Sequence, residues 1–480
     1  MTRIVGRVRQ GLASGNTKQQ KKGKCSLEAR KGWAWASTMM LAMALVAAGC
    51  GNGTNGNNKP DTTGESTGNN QSTSSEKPQE KVTITYSQWG TAEELQRTQE
   101  LLDTFMKVYP NITVKLEGKD WGTYWDGLTA GASGGILPDV MKTSFAYVSK
   151  YAELGIFKEL DGLLDSHSFD RSAIADGMLS MHQFGGKQVS LPIDANVIMF
   201  YYNKALFDDP ATNPKQASYP STEPTWEEVL DIATKMTLDT NGKNPGEDGF
   251  DSNNIKQWGM STVPGADLGM FEPILYSNGA KLINDDDTVA LNTPEAREVI
   301  DFFIKATQQG VNTSPAQIEG MGGVQNLAIT TGKVAMNLAG SWNVAHYADA
   351  NIDYGITHVP KFQSTQTVIQ PAGVAMSAST KHEEAAFTLM SWLAGPEGQT
   401  ELAKQGFSIP SNSQAADAYL ETAGAEFKIF LDAQAFGISA PYSVKKTDLV
   451  FTHGTQILRD PLSGNGDVEA AIADLQAALQ

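Results

Sequence analysis

Cysteine is nearly missing from this chain: 480 residues hold two, Cys25 and Cys50. Both fall in the first 50 positions, so the remaining 430 can form no disulfide among themselves. Metal-binding patterns are missing too. The six histidines, His167, His182, His346, His358, His382 and His453, are scattered. None makes an H-E-x-x-H pair or a spaced set with cysteine, which leaves a zinc site unsupported. There is no G-x-x-x-x-G-K-[ST] phosphate loop and no G-x-S-x-G nucleophile elbow. No cofactor is therefore expected. Positive charge is scarce: 37 basic residues face 54 acidic ones, a net charge of −17. The imbalance is uneven. The first 50 residues hold nine basic residues and one acid, Glu28, so the other 430 carry −25. A body this acidic repels phosphate backbones, which argues against a nucleic-acid partner. It argues equally against simple electrostatic adhesion to anionic lipid.

What is present is globular composition, 40% apolar and 19% charged, with length enough for two or more lobes. The start is different. It is basic and polar through Ala29-Arg30-Lys31, then apolar from Trp33 to Ala48, and closes in Ala47-Ala48-Gly49-Cys50. A positive segment, a short apolar run and small residues before a cut describe an export signal. A spanning helix needs about 20 apolar residues, so the run is short for one. An uncleaved N-terminal anchor is the alternative. The cysteine at the cut resembles the lipobox of bacterial lipoproteins, although Ala47 stands where that pattern usually has Leu. The resemblance implies that residues 1–49 are a signal peptide and that Cys50 carries lipid, holding the protein at the outer face of the cell membrane without spanning it. Residues 50–80 are rich in Gly, Asn, Ser and Thr, with no large apolar residue after the cysteine, and read as a flexible tether. Gly51-x-Gly53-x-x-Gly56 within it has no strand before it or apolar helix after it, so it is not a dinucleotide site.

The body begins at Lys81. Val82-Thr83-Ile84-Thr85-Tyr86 alternates as a strand does, and Thr91-x-x-Glu94 is a capping box opening a helix. Pro110 stops that helix, and Ile112-Thr113-Val114-Lys115-Leu116 is a second strand. This is a βαβ unit, which implies parallel strands. Pro138-Asp139-Val140-Met141 predicts a third strand. Thr225-Trp226-Glu227-Glu228 and Thr293-Pro294-Glu295 open further helices. Val334 to Leu338 and Val374 to Ser377 read as buried strands. Strands and helices alternate throughout, so the class is α/β. Residues 239–251 supply oxygens as a calcium loop does, but Lys243 holds a position where an EF-hand needs an oxygen. A polar Gly/Asn turn is the preferred reading.

Seven tryptophans lie in the body, and several sit beside loop residues: Trp89 in Ser87-Gln88-Trp89-Gly90, Trp121 and Trp125 around Asp120, and Trp342 after Gly340-Ser341. An aromatic face beside a carboxylate or amide suits a sugar, with its apolar C–H faces and polar rim. Core packing is the alternative for any one of them. Trp226 and Trp392, on amphipathic helices, are assigned to the core, and Trp342 and Trp89 to a ligand.

A series of short pieces carries a wider resemblance. In order they are Tyr109-Pro110-Asn111-Ile112, Leu137-Pro138-Asp139-Val140, Tyr201-Tyr202-Asn203-Lys204, Pro224-Thr225-Trp226-Glu227-Glu228, Asn278-Gly279-Ala280, Thr331-Gly332-Lys333-Val334-Ala335-Met336 with Gly340-Ser341-Trp342, Pro371-Ala372-Gly373, and Gly406-Phe407-Ser408-Ile409-Pro410. Behind a lipobox they resemble a family 1 extracellular solute-binding protein, the sugar receptor of an ABC importer. The resemblance implies a two-lobed periplasmic-binding-protein-like fold with crossing hinge segments near 193–197, 371–375 and 408–412. One lobe would be 81–192 plus 376–410, the other 198–370 plus 412–480. It implies a monomer that binds a sugar between the lobes and then docks on the transmembrane subunits of an ABC permease. Trp342 matches the family's stacking aromatic, with Gly340 and Ser341 beside it. Trp89, Asp120, Tyr124, Ser144, Asp194, Trp258 and Gly373 correspond to cleft-facing positions. A surface glycosidase, and the same receptor with a non-sugar solute, remain open alternatives, since two catalytic carboxylates can lie far apart in sequence.

Overall fold

The alternating apolar residues at 82–86 begin a longer strand, Val82–Trp89, in which Ile84 and Tyr86 are buried and Thr83 is exposed. The structure, a computed structural model, describes residues 80–284, 286–322, 325–439 and 449–480. The leader, Cys50 and the tether up to residue 79 lie outside the described residues. The Thr91 hydroxyl accepts from the Glu94 N–H, and the Glu94 carboxylate accepts from the Thr91 N–H at 2.7 Å. That box opens helix Ala92–Val108, which buries Leu101, Leu102 and Phe105 and stops ahead of Pro110. Strand Ile112–Lys119 then returns parallel to the first, completing the βαβ unit.

Two five-stranded sheets organise the body. The first runs Ile112–Lys119, Val82–Trp89, Val140–Ser144, Ala372–Met376, Ser190–Pro192. The second runs Tyr354–Thr357, Ile198–Asn203, Val334–Gly340, Ile255–Ser261, Leu238–Asp239. Inner strands are covered on both faces. In the first sheet Val374 and Met376 join the core with Leu102, Phe105 and Trp392, while Ala375 and Met141 join the opposite core with Trp125 and Tyr151. In the second, Ile198 and Phe200 pack with Trp226 and Phe303, whereas Met199 and Tyr201 pack with Tyr347, Tyr419 and Phe430. This is why these strands read as unbroken apolar runs. Trp226 and Trp392 are core residues, at 1% and 5% exposure.

The chain passes between the sheets three times, and the passages are hydrogen-bonded to one another. Residues 193–197 join Ser190–Pro192 to Ile198–Asn203. Within them the Ile193 and Asp194 N–H groups donate to Ala372, and that of Ala195 donates to Ile409. The Gln370 N–H donates to Asn196 at 2.8 Å. The second passage lies earlier than its expected place at 371–375. Ala372–Met376 is a full strand of the first sheet, so only Gln370 and Pro371 cross, and the first lobe resumes at 372 instead of 376. Proline supplies no N–H to a ladder, which suits Pro371 to the crossing and ends the strand at Ala372. After 412 the chain stays with the second sheet, where helix Val468–Ala478 buries Ile472 and Leu475.

The oxygen-rich segment 239–251 is a turn. The Asp239 carboxylate accepts the N–H groups of Asn241 at 2.8 Å, Lys243 at 2.9 Å and Asp251 at 3.0 Å, and the Lys243 ammonium donates to the Asp248 carbonyl. Its oxygens are filled by the loop's own donors. Among the described residues no three metal-ligating side chains come together.

Candidate functional site: a cleft between two lobes

Open α/β sheets bind ligands beyond the carboxyl ends of their strands. Here the ends at Trp89 and Ser144 in the first sheet, and at Gly340 in the second, lead to one cavity of about 790 Å³.

The first-lobe wall is aromatic. Trp89 leaves its strand end and meets Trp121 edge-on at 4.9 Å, with Tyr124 and Trp125 each at 5.4 Å. Trp125 stacks on Tyr147 at 4.1 Å and on Tyr151 at 5.4 Å, and those two rings lie 6.3 Å from each other. Trp121 is left 46% exposed at the cavity. Asp120 opens helix Trp121–Gly134 by accepting from the Thr123 N–H at 3.0 Å. Its hydrogen bonds with Thr123 hold its carboxyl below the usual range. The Ser144 hydroxyl accepts from the Ala146 N–H at 3.4 Å.

The second-lobe wall carries Trp342, Ala345 and His346 around the start of helix Asn343–Asp349, with Asp267 and Phe451. Phe145 and Phe451 meet edge-to-face across the cleft at 5.7 Å. The crossing segments form the floor. There Asp194 Oδ1 accepts from the Ala372 N–H at 2.7 Å and from the Asn196 amide at 2.8 Å. The Ser341 hydroxyl donates to Asn196 Oδ1 at 3.1 Å and accepts from the Val197 N–H at 3.2 Å. A continuous set of hydrogen bonds thus runs from the first sheet, through the first passage, to the loop that carries Trp342.

Two carboxyls on the cavity are unusual. Burial pushes Asp194 up to about 6, opposed by the Lys142 charge and the bonds from Ala372 and Asn196. Asp267 is also raised to about 6 by burial, against the N–H groups of Gly269 and Met270. Its surface is partly open to the cleft, yet the group sits deep among protein atoms.

Of the ten ligand positions expected from sequence, Trp342, Trp89, Asp120, Ser144 and Asp194 line this cavity. The other five do not. Tyr124 is fully buried behind the wall, its hydroxyl on the carbonyls of Lys142 and Ser87. Trp258 points from the middle of strand Ile255–Ser261 into the core beside Tyr201 and Val334. Ser341 is buried in the hinge network. Gly340 is the seat of Trp342: a Cβ there would fall 2.2 Å from the indole. Gly373 faces His182 and the Leu191 carbonyl, at 2.5 and 2.6 Å from such a Cβ. Sequence reasoning did not nominate Trp121, Lys142, Asn196 or Arg97, which also line the cavity. Only Trp121 carried a signal, its place beside Asp120 at a helix start. Aromatic faces on both walls, with acceptors and donors on the floor, equip the cleft to hold a solute that has apolar faces and a polar rim.

The family model for bacterial extracellular solute-binding proteins matches residues 100–428. The chain belongs to that family. Among similar proteins, the galactooligosaccharide-binding protein of Bacillus subtilis is 24% identical over 390 residues, covering 80% of this chain and 86% of its own. A maltooligosaccharide ABC transporter solute-binding lipoprotein of Streptococcus pneumoniae is 23% identical over 360 residues, covering 73% and 77%. A solved ABC substrate-binding protein of Listeria monocytogenes, in complex with cycloalternan, superposes with a TM-score of 0.72 at 21% identity, covering 83% of this chain and 98% of its own. As in that solved relative, the solute-binding protein described here is two-lobed and α/β. Its match begins inside helix Ala92–Val108 and ends at the start of helix Lys428–Gln434, so it takes in the second sheet, the first sheet apart from strand Val82–Trp89, and all three passages.

Proposed function

We propose that this solute-binding protein is the receptor of an ABC importer and that it holds a carbohydrate, an oligosaccharide, between its lobes without transforming it. The observation that carries the reading is the cleft: Trp89 and Trp121 on one wall and Trp342 on the other line a single cavity of about 790 Å³, a size that suits a ligand of several rings. Asp120, Ser144 and Asp194 on that cavity offer oxygens to hydroxyl groups. The names of the relatives in Bacillus subtilis and Streptococcus pneumoniae support the class of ligand. The protein acts as a monomer, closes on its ligand and presents the closed form to the permease's transmembrane subunits.

A thermal-shift screen of oligosaccharides tests the reading. A ligand at 100 times its Kd adds about 2.7 kcal/mol of stability. Stabilisation by one oligosaccharide, with that sugar recovered intact, is the expected result. Hydrolysis abolished by a single carboxylate substitution would make the protein a glycosidase. Stabilisation only by a non-sugar would keep the receptor and change its solute.

The same proposal places lipid on Cys50 and the protein at the outer face of the membrane, from the apolar run that ends in Ala48-Gly49-Cys50. Cys50→Ala should release the protein from the membrane fraction or leave it unprocessed. Normal retention of the variant at the same mature mass would refute the lipid.

A further inference from the structure

Six charged side chains line the cavity besides His346: Glu94, Arg97, Asp120, Lys142, Asp194 and Asp267. The four acids already hold structural donors. Glu94 takes the Thr91 N–H at 2.7 Å, Asp120 that of Thr123 at 3.0 Å, Asp267 that of Gly269 at 3.0 Å, and Asp194 two donors. The two cations are different. Neither makes an ion pair within 4 Å or a side-chain hydrogen bond among the described residues; each rests on an aromatic ring instead. Lys142 Nζ lies 4.7 Å from the centre of Trp89, and the Arg97 guanidinium 4.6 Å from that of Phe407. Asp194 feels the Lys142 charge without pairing with it.

Both line the cavity, in a body whose 28 basic residues face 53 acidic ones, so a carboxylate partner was available to each. Elsewhere Lys158, Lys204, Lys215, Arg297, Lys361 and Arg459 find one, and lysines that do not, such as Lys115, Lys187 and Lys333, lie away from the cavity. Lysine has three donors and arginine five, none of which a ring face satisfies fully. A guanidinium also meets a carboxylate through two parallel bonds, which fixes orientation. We propose that Lys142 and Arg97 receive an anionic group on the ligand, so that the receptor selects an acidic oligosaccharide, one containing uronic acid, over its neutral counterpart. The inference rests on the carbohydrate reading above. Both cations sit on the first lobe, on strand Val140–Ser144 and helix Ala92–Val108, beside or near the aromatic wall that would stack the sugar rings.

The experiment is calorimetric titration with matched pairs of trisaccharides, glucan against glucuronan and galactan against galacturonan, at low and high salt, with a sugar phosphate as a further arm. An acidic member should bind at least about tenfold more tightly than its neutral partner, since a charge-assisted bond is worth about 1.5–3 kcal/mol. The advantage should shrink in high salt. The double variant Lys142→Met/Arg97→Gln should bring the ratio close to one, and the charge-keeping variant Lys142→Arg/Arg97→Lys should retain much of it. Similar melting of the free variants would show that folding is intact. Equal or tighter binding of the neutral sugars, or a preference that survives the double variant, overturns the inference and leaves the carbohydrate reading standing. Tight binding of the sugar phosphate alone replaces carboxylate by phosphate and overturns the uronate assignment. No binding of any sugar refutes both readings together.

Discussion

Trp342 owes its position to a residue with no side chain. Its indole occupies the space that a Cβ on Gly340 would need, at 2.2 Å, and it packs partly against the second-lobe core while also lining the cleft. Cavity lining and core contact therefore share one ring, and two substitutions separate them. Trp342→Ala should weaken ligand binding by about 2–4 kcal/mol, as hot-spot aromatics do. The free protein should lose less stability than the roughly 3–5 kcal/mol of a wholly buried tryptophan. Unchanged affinity with a collapsed denaturation midpoint would make Trp342 a core residue only. Gly340→Ala keeps the ring but pushes it off its seat, and should weaken binding although position 340 does not line the cavity. In the Trp342→Ala background the same change should have almost no further effect on binding, because nothing remains to displace. A full additional loss in that background would contradict the seat.

At the scale of elements, close approach decides where helices lie on sheets. Helix Trp226–Met236 presses on strand Ile255–Ser261 at Gly259, where a Cβ would fall 2.0 Å from the Ala233 carbonyl oxygen. That neighbour is backbone and cannot rotate away. Gly259→Ala should therefore cost at least the roughly 1–3 kcal/mol typical of overpacking, with an altered near-ultraviolet spectrum, since Trp226 and Trp258 lie on the two elements. A melt within about 0.5 kcal/mol of the parent would show that the helix can shift freely. Elements of this kind were readable in advance. The capping box at Thr91, the alternation at 82–86 and the apolar run at 334–338 became the helix and strands they predict, because those patterns are local. The site was half readable. Trp89, Ser144 and Trp342 follow strand ends closely enough to reach the cleft. Trp258 has the same composition around it but sits within its strand, where alternation turns it to the core. Asn196 and Lys142 line the cavity only because distant passages and two walls meet around them, and no short spacing records that meeting. Pro371 marked the second crossing, yet the strand after it begins one residue later than the proline, which the motif alone did not show.

Across the whole molecule, buried titratable groups set opposed responses to acid. Asp194 in the folded protein titrates near 6, above its ordinary 3.8, because burial disfavours the charge. Between those values the folded state binds more protons than the unfolded chain, so this group adds stability as pH falls through 6, in full below about 3.8. Asp267 acts in the same direction. His182, wholly buried with Nδ1 2.7 Å from the Ser190 hydroxyl, is pushed down to about 3 by burial. Its unfolded form takes a proton below about 6.5 that the folded form refuses, so its contribution is lost as pH falls, and His358, also buried, is lowered in the same way. The two sets oppose each other from about pH 6 down to about 4, and the parent's own profile does not separate them. Asp194→Asn does. The amide keeps an oxygen for the Ala372 N–H but takes up no proton. The variant should fare relatively better at pH 7, where the parent buries a charge, and relatively worse at pH 4.5. The swing between the two conditions should be about 2 kcal/mol, since each tenfold gain in proton affinity on folding is worth about 1.36 kcal/mol. Denaturant melts of both proteins at both pH values measure it. An equal stability difference at pH 7 and pH 4.5 would mean that Asp194 titrates normally, and that its burial at the crossing of the lobes imposes no electrostatic cost.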